Sequence, residues 1–302
     1  MESRERELAA LLVLLRRRPA GVGWNEIAAE VVASGSAVAL LGTSAEDALF
    51  AVSGLDDEFG SALSDVESWL AAGHRIVTVL EADFPSSLLD IRETPPFLFY
   101  EGALREPDEG MSVVGSRAAS DWGLEFAASV AEYLVSQGLT VIAGLADGID
   151  TAAHRAALDV RGRTVAFLGT GITRSYPSAN TKLQREIAER GLLLSQFYPD
   201  APPTKQSFPM RNATMSGYGL ATIVVEAGER SGTRIQARVA GEHGRPVILT
   251  ARVANTTSWG RALVDKPNVY VAHTLDDLVH AVQDVRDAPL RLRSALDELV
   301  TA

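Results

Sequence analysis

The chain contains no cysteine, which excludes disulfides, thiol catalysis and any thiolate-ligated metal and suits a reducing compartment. It also holds no apolar run of membrane-spanning length. The stretch closest to a leader, residues 8–15, has Glu2, Glu5 and Glu7 before it and Arg16, Arg17 and Arg18 after it. A secretion signal carries its positive charge on the other side, so the stretch reads as the first helix of a cytoplasmic protein. Internal repeats and low-complexity tracts are absent, and so is the G-x-G-x-x-G fingerprint of a dinucleotide cofactor. Excess positive charge is missing too. Lys and Arg number 28 against 39 Asp and Glu, for a net charge of −11, which taken whole argues against a nucleic-acid partner.

The distribution of that charge reverses the argument. Residues 1–110 carry 8 basic and 20 acidic side chains, residues 111–272 carry 17 and 13, and residues 273–302 carry 3 and 6. A mildly basic middle between acidic flanks is permissive for a polyanion. With 302 residues, 46% hydrophobic and 22% charged, the chain has room for one large or two modest globular domains. Residues 1–72 show helical spacing at 8–15, 27–32, 45–52 and 59–70, punctuated by glycine. Between two of these runs, Arg16-Arg17-Arg18-Pro19-Ala20-Gly21-Val22-Gly23 has the form of a helix–hairpin–helix corner. Such a corner either aims backbone N–H groups at a DNA phosphate or merely turns the chain. Glu26 stands where a DNA-binding corner would want a cation.

Two short strand-like runs follow at 75–80 and 97–100, expected at the edge of a larger sheet. Apolar runs at 111–114, 140–143, 164–168, 192–195, 221–225, 246–250 and 269–272 then alternate with amphipathic helices. This rhythm predicts an α/β fold, a doubly wound, mostly parallel sheet with a small N-terminal helical domain. The expected boundaries are 1–72 for the helical domain, 73–273 for the sheet domain, and 274–302 for a short tail of two helices, 275–285 and 290–299.

Ligands of such sheets bind at the carboxyl ends of the strands, so the strand-end loops are the candidates. The first is Gly115-Ser116-Arg117, where glycine permits close approach, serine offers a hydroxyl and arginine a fork suited to phosphate. The second runs Gly144-Leu145-Ala146-Asp147-Gly148-Ile149-Asp150 into His154. Asp150 and His154 share a helix face, yet no third metal ligand stands nearby, so a helix cap and a packed histidine are expected and no metal. Gly169-Thr170-Gly171, ahead of Tyr176-Pro177 and Asn180, reads as shaping the rim. The most informative loop carries Lys205, Phe208, Arg211 and Asn212. Cations around an aromatic hold single strands by tracking phosphates while the ring stacks on a base; equally, Phe208 would seat the loop while the cations stay solvated. Finally, Ser231-Gly232-Thr233 opens a helix whose N–H groups and hydroxyls would face an anion.

Jointly, VVGSR (113–117), AGLADGIDTAAH (143–154), FLGTGITRSYPSAN (167–180), SFPMRN (207–212) and VVEAGERSGTRIQA (224–237) resemble the DNA-processing protein A (Smf) family, in that order and spacing. The resemblance implies an extended Rossmann-like domain that binds single-stranded DNA without catalysis or cofactor. It further implies a homodimer that assists a RecA-type recombinase during natural transformation. By motif match, the DNA pocket would include Gly115, Ser116, Arg117, Lys205, Phe208, Arg211 and Asn212. Asp147 and Ala213 depart from the family pattern by removing positive charge, and the winged helix of many members is not expected in the tail. The Gly228…Thr233 loop also resembles part of the P-G-G-x-G-T signature of nucleoside-monophosphate phosphoribohydrolases. That alternative, a nucleotide sensor or hydrolase, needs Glu226 as acid/base and Arg211 as electrophile at one substrate.

Overall fold

A computed structural model describes residues 2–47 and 54–301. Four helices open the chain: α1 (Glu2–Arg17), α2 (Trp24–Ser34), α3 (Ala37–Asp47) and α4 (Leu55–Ala71). Every residue from 8 to 15 is buried, because α1 is the hydrophobic axis around which the other three pack. The helical run expected at 45–52 lies largely outside the described residues. The hairpin is a glycine corner. Gly21 takes φ +90, the Gly23 N–H donates to Glu26 Oε1 at 3.2 Å, and the neighbouring arginines are engaged within the protein. Arg16 pairs with Asp65 and Arg17 with Glu58, each at 2.5 Å, while Arg18 donates to the Leu15 carbonyl at 2.6 Å.

The sheet has nine strands: β1 (Arg75–Thr78), β2 (Phe97–Gly102), β3 (Gly110–Val114), β4 (Thr140–Ala143), β5 (Thr164–Phe167), β6 (Leu192–Ser195), β7 (Ala221–Val224), β8 (Val247–Thr250) and β9 (Val269–Ala272). Their order is β1-β2-β6-β5-β4-β3-β7-β8-β9. From β6 to β9 every pairing is parallel, whereas β1 and β2 add an antiparallel extension at the edge, as the sequence predicts. Alternate residues serve opposite faces, so Met111 and Val113 join one core and Val114 the other. One face is covered by α5 (Asp121–Ser136), α6 (Ile149–Asp159) and α12 (Leu275–Thr301). The other receives α7 (Thr181–Arg190), α8 (Ser207–Tyr218), α9 (Thr233–Glu242) and, at the strand β2 end, the N-terminal helices. Between β8 and β9 lie the short α10 (Ala251–Thr256) and α11 (Ser258–Val264).

The core of the helical segment is continuous with that of the sheet. Its seam is aromatic: Trp24 and Trp69 each lie 5.6 Å from Tyr198, and Trp69 meets Phe99 edge-on at 5.2 Å. The tail differs from expectation, being one helix that continues through Pro289 rather than two. A proline removes one backbone donor and bends a helix without having to end it, and Leu278, Val282 and Val285 hold the helix on the sheet from the preceding turns.

At the amino end of the sheet, Asp108 accepts hydrogen bonds from Thr140 Oγ1 at 2.6 Å, Arg163 at 2.6 Å and Tyr218 at 2.8 Å. Burial pushes this carboxyl up, but these bonds and the Arg163 charge outweigh burial and hold it below its ordinary value. A depressed folded pKa contributes stability above the unfolded value, about 4, that is lost as pH falls through the folded one. Asp108→Asn is therefore expected to cost about 2 kcal/mol at neutral pH and to flatten the acid limb of a denaturation-versus-pH curve. An unchanged acid limb would show that Asp108 does not anchor this end of the sheet.

Candidate nucleic-acid interface

β3 has β4 on one side and β7 on the other, so the chain leaves their carboxyl ends in opposite directions and opens a crevice. Gly115 lets three loops meet there. A Cβ on it would stand 2.5 Å from Ile149 and 2.7 Å from the Glu226 carbonyl. The Ser116 N–H donates to that carbonyl at 2.7 Å. Gly148, at φ +77, brings the β4 loop against the Ser116 carbonyl, 2.2 Å from where its Cβ would be. The crevice has a volume of about 580 Å³ and is lined by the Gly115–Arg117 loop, Asp150, Asn212, Arg230 and Gln236, among others.

Arg117 is exposed, and its guanidinium carbon lies 5.5 Å from the centre of the Phe208 ring. Phe208 is half-buried because it packs on Gly169, where a Cβ would come within 2.6 Å of the ring. The turn before α8 fixes this placement. Ser207 Oγ donates to the Gly169 carbonyl at 2.6 Å, and Thr204 and Ser207 exchange side-chain-to-backbone bonds at 3.0 and 3.1 Å. Phe208 thus seats the loop, and its ring also borders a slot beside the crevice.

Arg211 is buried rather than solvated, although it still borders the crevice. It is 5% exposed and donates to the carbonyls of Phe167, at 2.7 Å, and Gly144. Gly144 is required for this, since a Cβ there would stand 1.8 Å from the guanidinium. Burial lowers the Arg211 pKa to about 10, Asp150 raising it and Arg117 lowering it, so the group stays charged at neutral pH as a cation beneath the floor. Burial raises the pKa of Asp150, which Arg211 and the N–H groups of Gly144 and Ala146 draw back down. It anchors the loop before α6 and does not cap the helix as expected, since both donors precede the helix and the N-cap, Gly148, has no side-chain bond. His154 is fully buried, and burial, then Arg211, pushes its pKa down to about 3. Thr164 Oγ1 donates to the Val141 carbonyl at 2.8 Å, so it accepts from His154 Nδ1–H at 2.7 Å. Among the described residues no metal-binding group of side chains occurs.

Lys205 is exposed at the tip of the loop before α8 and lines neither the crevice nor the slot. The Ser231–Thr233 turn borders the crevice, but its hydroxyls are engaged: Ser231 donates to Thr233 Oγ1 at 2.9 Å and Thr233 to the Gly115 carbonyl at 3.2 Å. The N–H groups of residues 233–236 likewise find acceptors at Ser231 and Gly232. The turn therefore braces the crevice rather than presenting the expected row of donors. Glu226 does not line the crevice; its carboxylate accepts from Ser120 Oγ at 2.6 Å and from the Ser120 N–H at the start of α5.

The rim loop after β5 does more than shape the edge. Tyr176 is 42% exposed and lies 5.4 Å from Phe208, tilted by 46°. Asn180 donates to the Leu145 carbonyl at 3.0 Å and to Thr151 at 2.8 Å, holding Leu145 at its left-handed φ of 59. Sequence reasoning placed Tyr176 at the rim without its ring contact and missed Arg230 and Gln236, of which only Arg230, in Glu229-Arg230-Ser231, carried a signal.

Residues 75–283 match the family model described as DNA recombination-mediator protein A. Protein Smf of Synechocystis is 35% identical over 211 residues, 68% of this chain and 50% of that protein. The chain thus spans about half the length of this curated relative. DNA processing protein A from Streptococcus pneumoniae superposes with a TM-score of 0.66 at 27% identity, covering 91% of this chain and 92% of that one. The Helicobacter pylori protein, studied for its single-stranded DNA binding mode, has a TM-score of 0.62 at 22% identity, covering 70% and 96%. The chain belongs to the DNA recombination-mediator protein A family, which includes the Smf and DprA DNA processing proteins.

Proposed function

We propose that this protein binds single-stranded DNA along the carboxyl edge of its sheet and performs no chemistry on it. The observation that carries this reading is the meeting of an exposed cation, Arg117, with the Phe208 and Tyr176 rings beside an open crevice. Charge along the backbone with aromatic faces for the bases is how single strands are held without sequence readout. Arg211 and Asn212 give the floor its cation and amide, and Lys205 lengthens the basic track outside the crevice. The finer parts of the reading are a homodimer that protects incoming strands in the cytoplasm and passes them to a RecA-type recombinase during natural transformation. They draw on family membership. The absence of a membrane-spanning helix among the described residues is compatible with them.

A nucleotide hydrolase would need Glu226 and Arg211 at one substrate. Glu226 instead faces Ser120 and Arg211 faces backbone carbonyls, so no observation favours that reading. Anisotropy of a labelled oligothymidine tests the proposal. Saturable binding is expected, weakening with salt by a slope of about −0.7 per phosphate contacted, with duplex and mononucleotide as poor competitors. No binding at low salt removes the proposal, and release of free base from nucleoside monophosphates removes its non-enzymatic part.

A further inference from the structure

Along the carboxyl edge, the cations and rings come in the order of the strands. Lys205 and Phe208 follow β6, Tyr176 follows β5, Arg117 follows β3 and Arg230 follows β7. One strand further on, α10 starts at the end of β8 and carries Arg252. Its guanidinium carbon stands over the Trp122 ring, 3.8 Å from the ring centre, and Trp122 stacks with Phe126 at 4.9 Å. Arg252 is exposed, and among the described residues its side chain makes no hydrogen bond or ion pair. Asp121 and Glu125 are exposed on the same helix as the ring, yet neither pairs with it. A carboxylate would occupy guanidinium N–H groups, whereas a ring face holds the cation and leaves all its donors free. The stretch between the crevice and Arg252 is held in place as well. Arg230 lines the crevice, and its loop is clamped to the segment after α10. Glu229 accepts from the Ser258 N–H at 2.8 Å and from the Ser258 hydroxyl, and Trp259 Nε1 donates to the Gly228 carbonyl at 3.3 Å. Both carboxylates of this loop are thus turned onto serines, Glu229 onto Ser258 and Glu226 onto Ser120.

We propose that Arg252 is a further phosphate contact, outside the crevice, and that Trp122 is the positioning residue that holds it there. The inference rests on the single-strand reading given above and adds a course for the strand. It runs from the β6 side, past Arg117 and Arg230 in the crevice, to the end of β8. Five inter-strand steps separate β6 from β8, a span of about 24 Å. The group met at Arg252 is the backbone rather than a base. A guanidinium donates in pairs to phosphate oxygens, and Trp122 is already occupied by Arg252 and Phe126.

The test is anisotropy of a long labelled oligothymidine, titrated at several salt concentrations against the full chain and its Arg252→Gln, Trp122→Leu and Lys266→Gln variants. Lys266 is exposed ahead of β9, at the amino end of the sheet, so its loss removes one charge away from the edge. Arg252→Gln is expected to shrink the salt slope by about 0.7 and to weaken binding about fivefold near 0.1 M salt. Its denaturant midpoint should stay close to that of the unaltered protein. Trp122→Leu keeps the charge but releases it, so its affinity should fall between the two. Lys266→Gln should keep both affinity and slope. If Arg252 only clasps α10 to α5, Arg252→Gln will move the midpoint and leave the slope alone, which overturns the proposal. An Arg252→Gln slope equal to that of Lys266→Gln, with the unaltered protein still binding, also overturns this inference alone. Unchanged affinity of Trp122→Leu removes the positioning role. Failure of the unaltered protein to bind overturns the inference together with the single-strand reading.

Discussion

Arg211→Met is expected to lower the free energy of unfolding by about 3–5 kcal/mol, read as a fall in denaturant midpoint. Methionine fills much of the same volume, so the loss would not come from a cavity. It would come from the carbonyls of Gly144 and Phe167, which lose their donor, and from Asp150, which loses the cation it faces. The pH dependence follows from Asp150. Its folded pKa is raised by burial, so its contribution to stability is fully present below the unfolded value of about 4 and is lost as pH rises through the folded one. Removing Arg211 raises that pKa further. The deficit of Arg211→Met should therefore be smallest in acid and grow toward neutrality, and adding Asp150→Asn should recover part of it at pH 7. A variant of unchanged midpoint that merely binds DNA less well would mean that Arg211 acts as a phosphate ligand after all.

Arg117→Glu should leave stability unchanged and weaken oligonucleotide binding roughly thirtyfold, about 2 kcal/mol. The side chain is exposed and touches the core only through its charge, which acts in opposite senses on the paired Arg211 and Asp150. The salt slope should also shrink by about 0.7, the signature of one lost phosphate contact. Arg117→Lys keeps the charge but loses the planar group that lies over Phe208, and its affinity should fall between the two. Binding by Arg117→Glu with the original affinity and slope would remove the β3 loop from the interface.

The alternation of apolar runs with amphipathic helices was enough to place β3 to β9, most of them buried on both faces and so continuous in apolar residues, while β1 and β2 were legible as two short apolar runs ahead of it. Gly115 and Gly144 were legible as points of close approach, though the groups they approach were not. Arg211 misled because a lone arginine near an aromatic looks solvated in one dimension. The helix phase of α8 turns it inward, and only the Gly144 backbone, 67 positions away, reveals what it holds. Tyr176 was legible only as a rim residue for a similar reason, since its partner Phe208 arrives from beyond another strand. Pro289 argued locally for a break that the packing of α12 overrides.

The aromatic seam between the N-terminal helices and the sheet has a practical consequence. Trp24 and Trp69 close over Phe97, Phe99 and Tyr198, so the first 72 residues are no detachable cassette. A chain cut there would open those rings to water and would measure misfolding in place of electrostatics. The influence of the acidic helices on DNA is instead separable by neutralising surface acids one at a time, such as Asp56 and Asp57 in the first turn of α4, with the seam left closed.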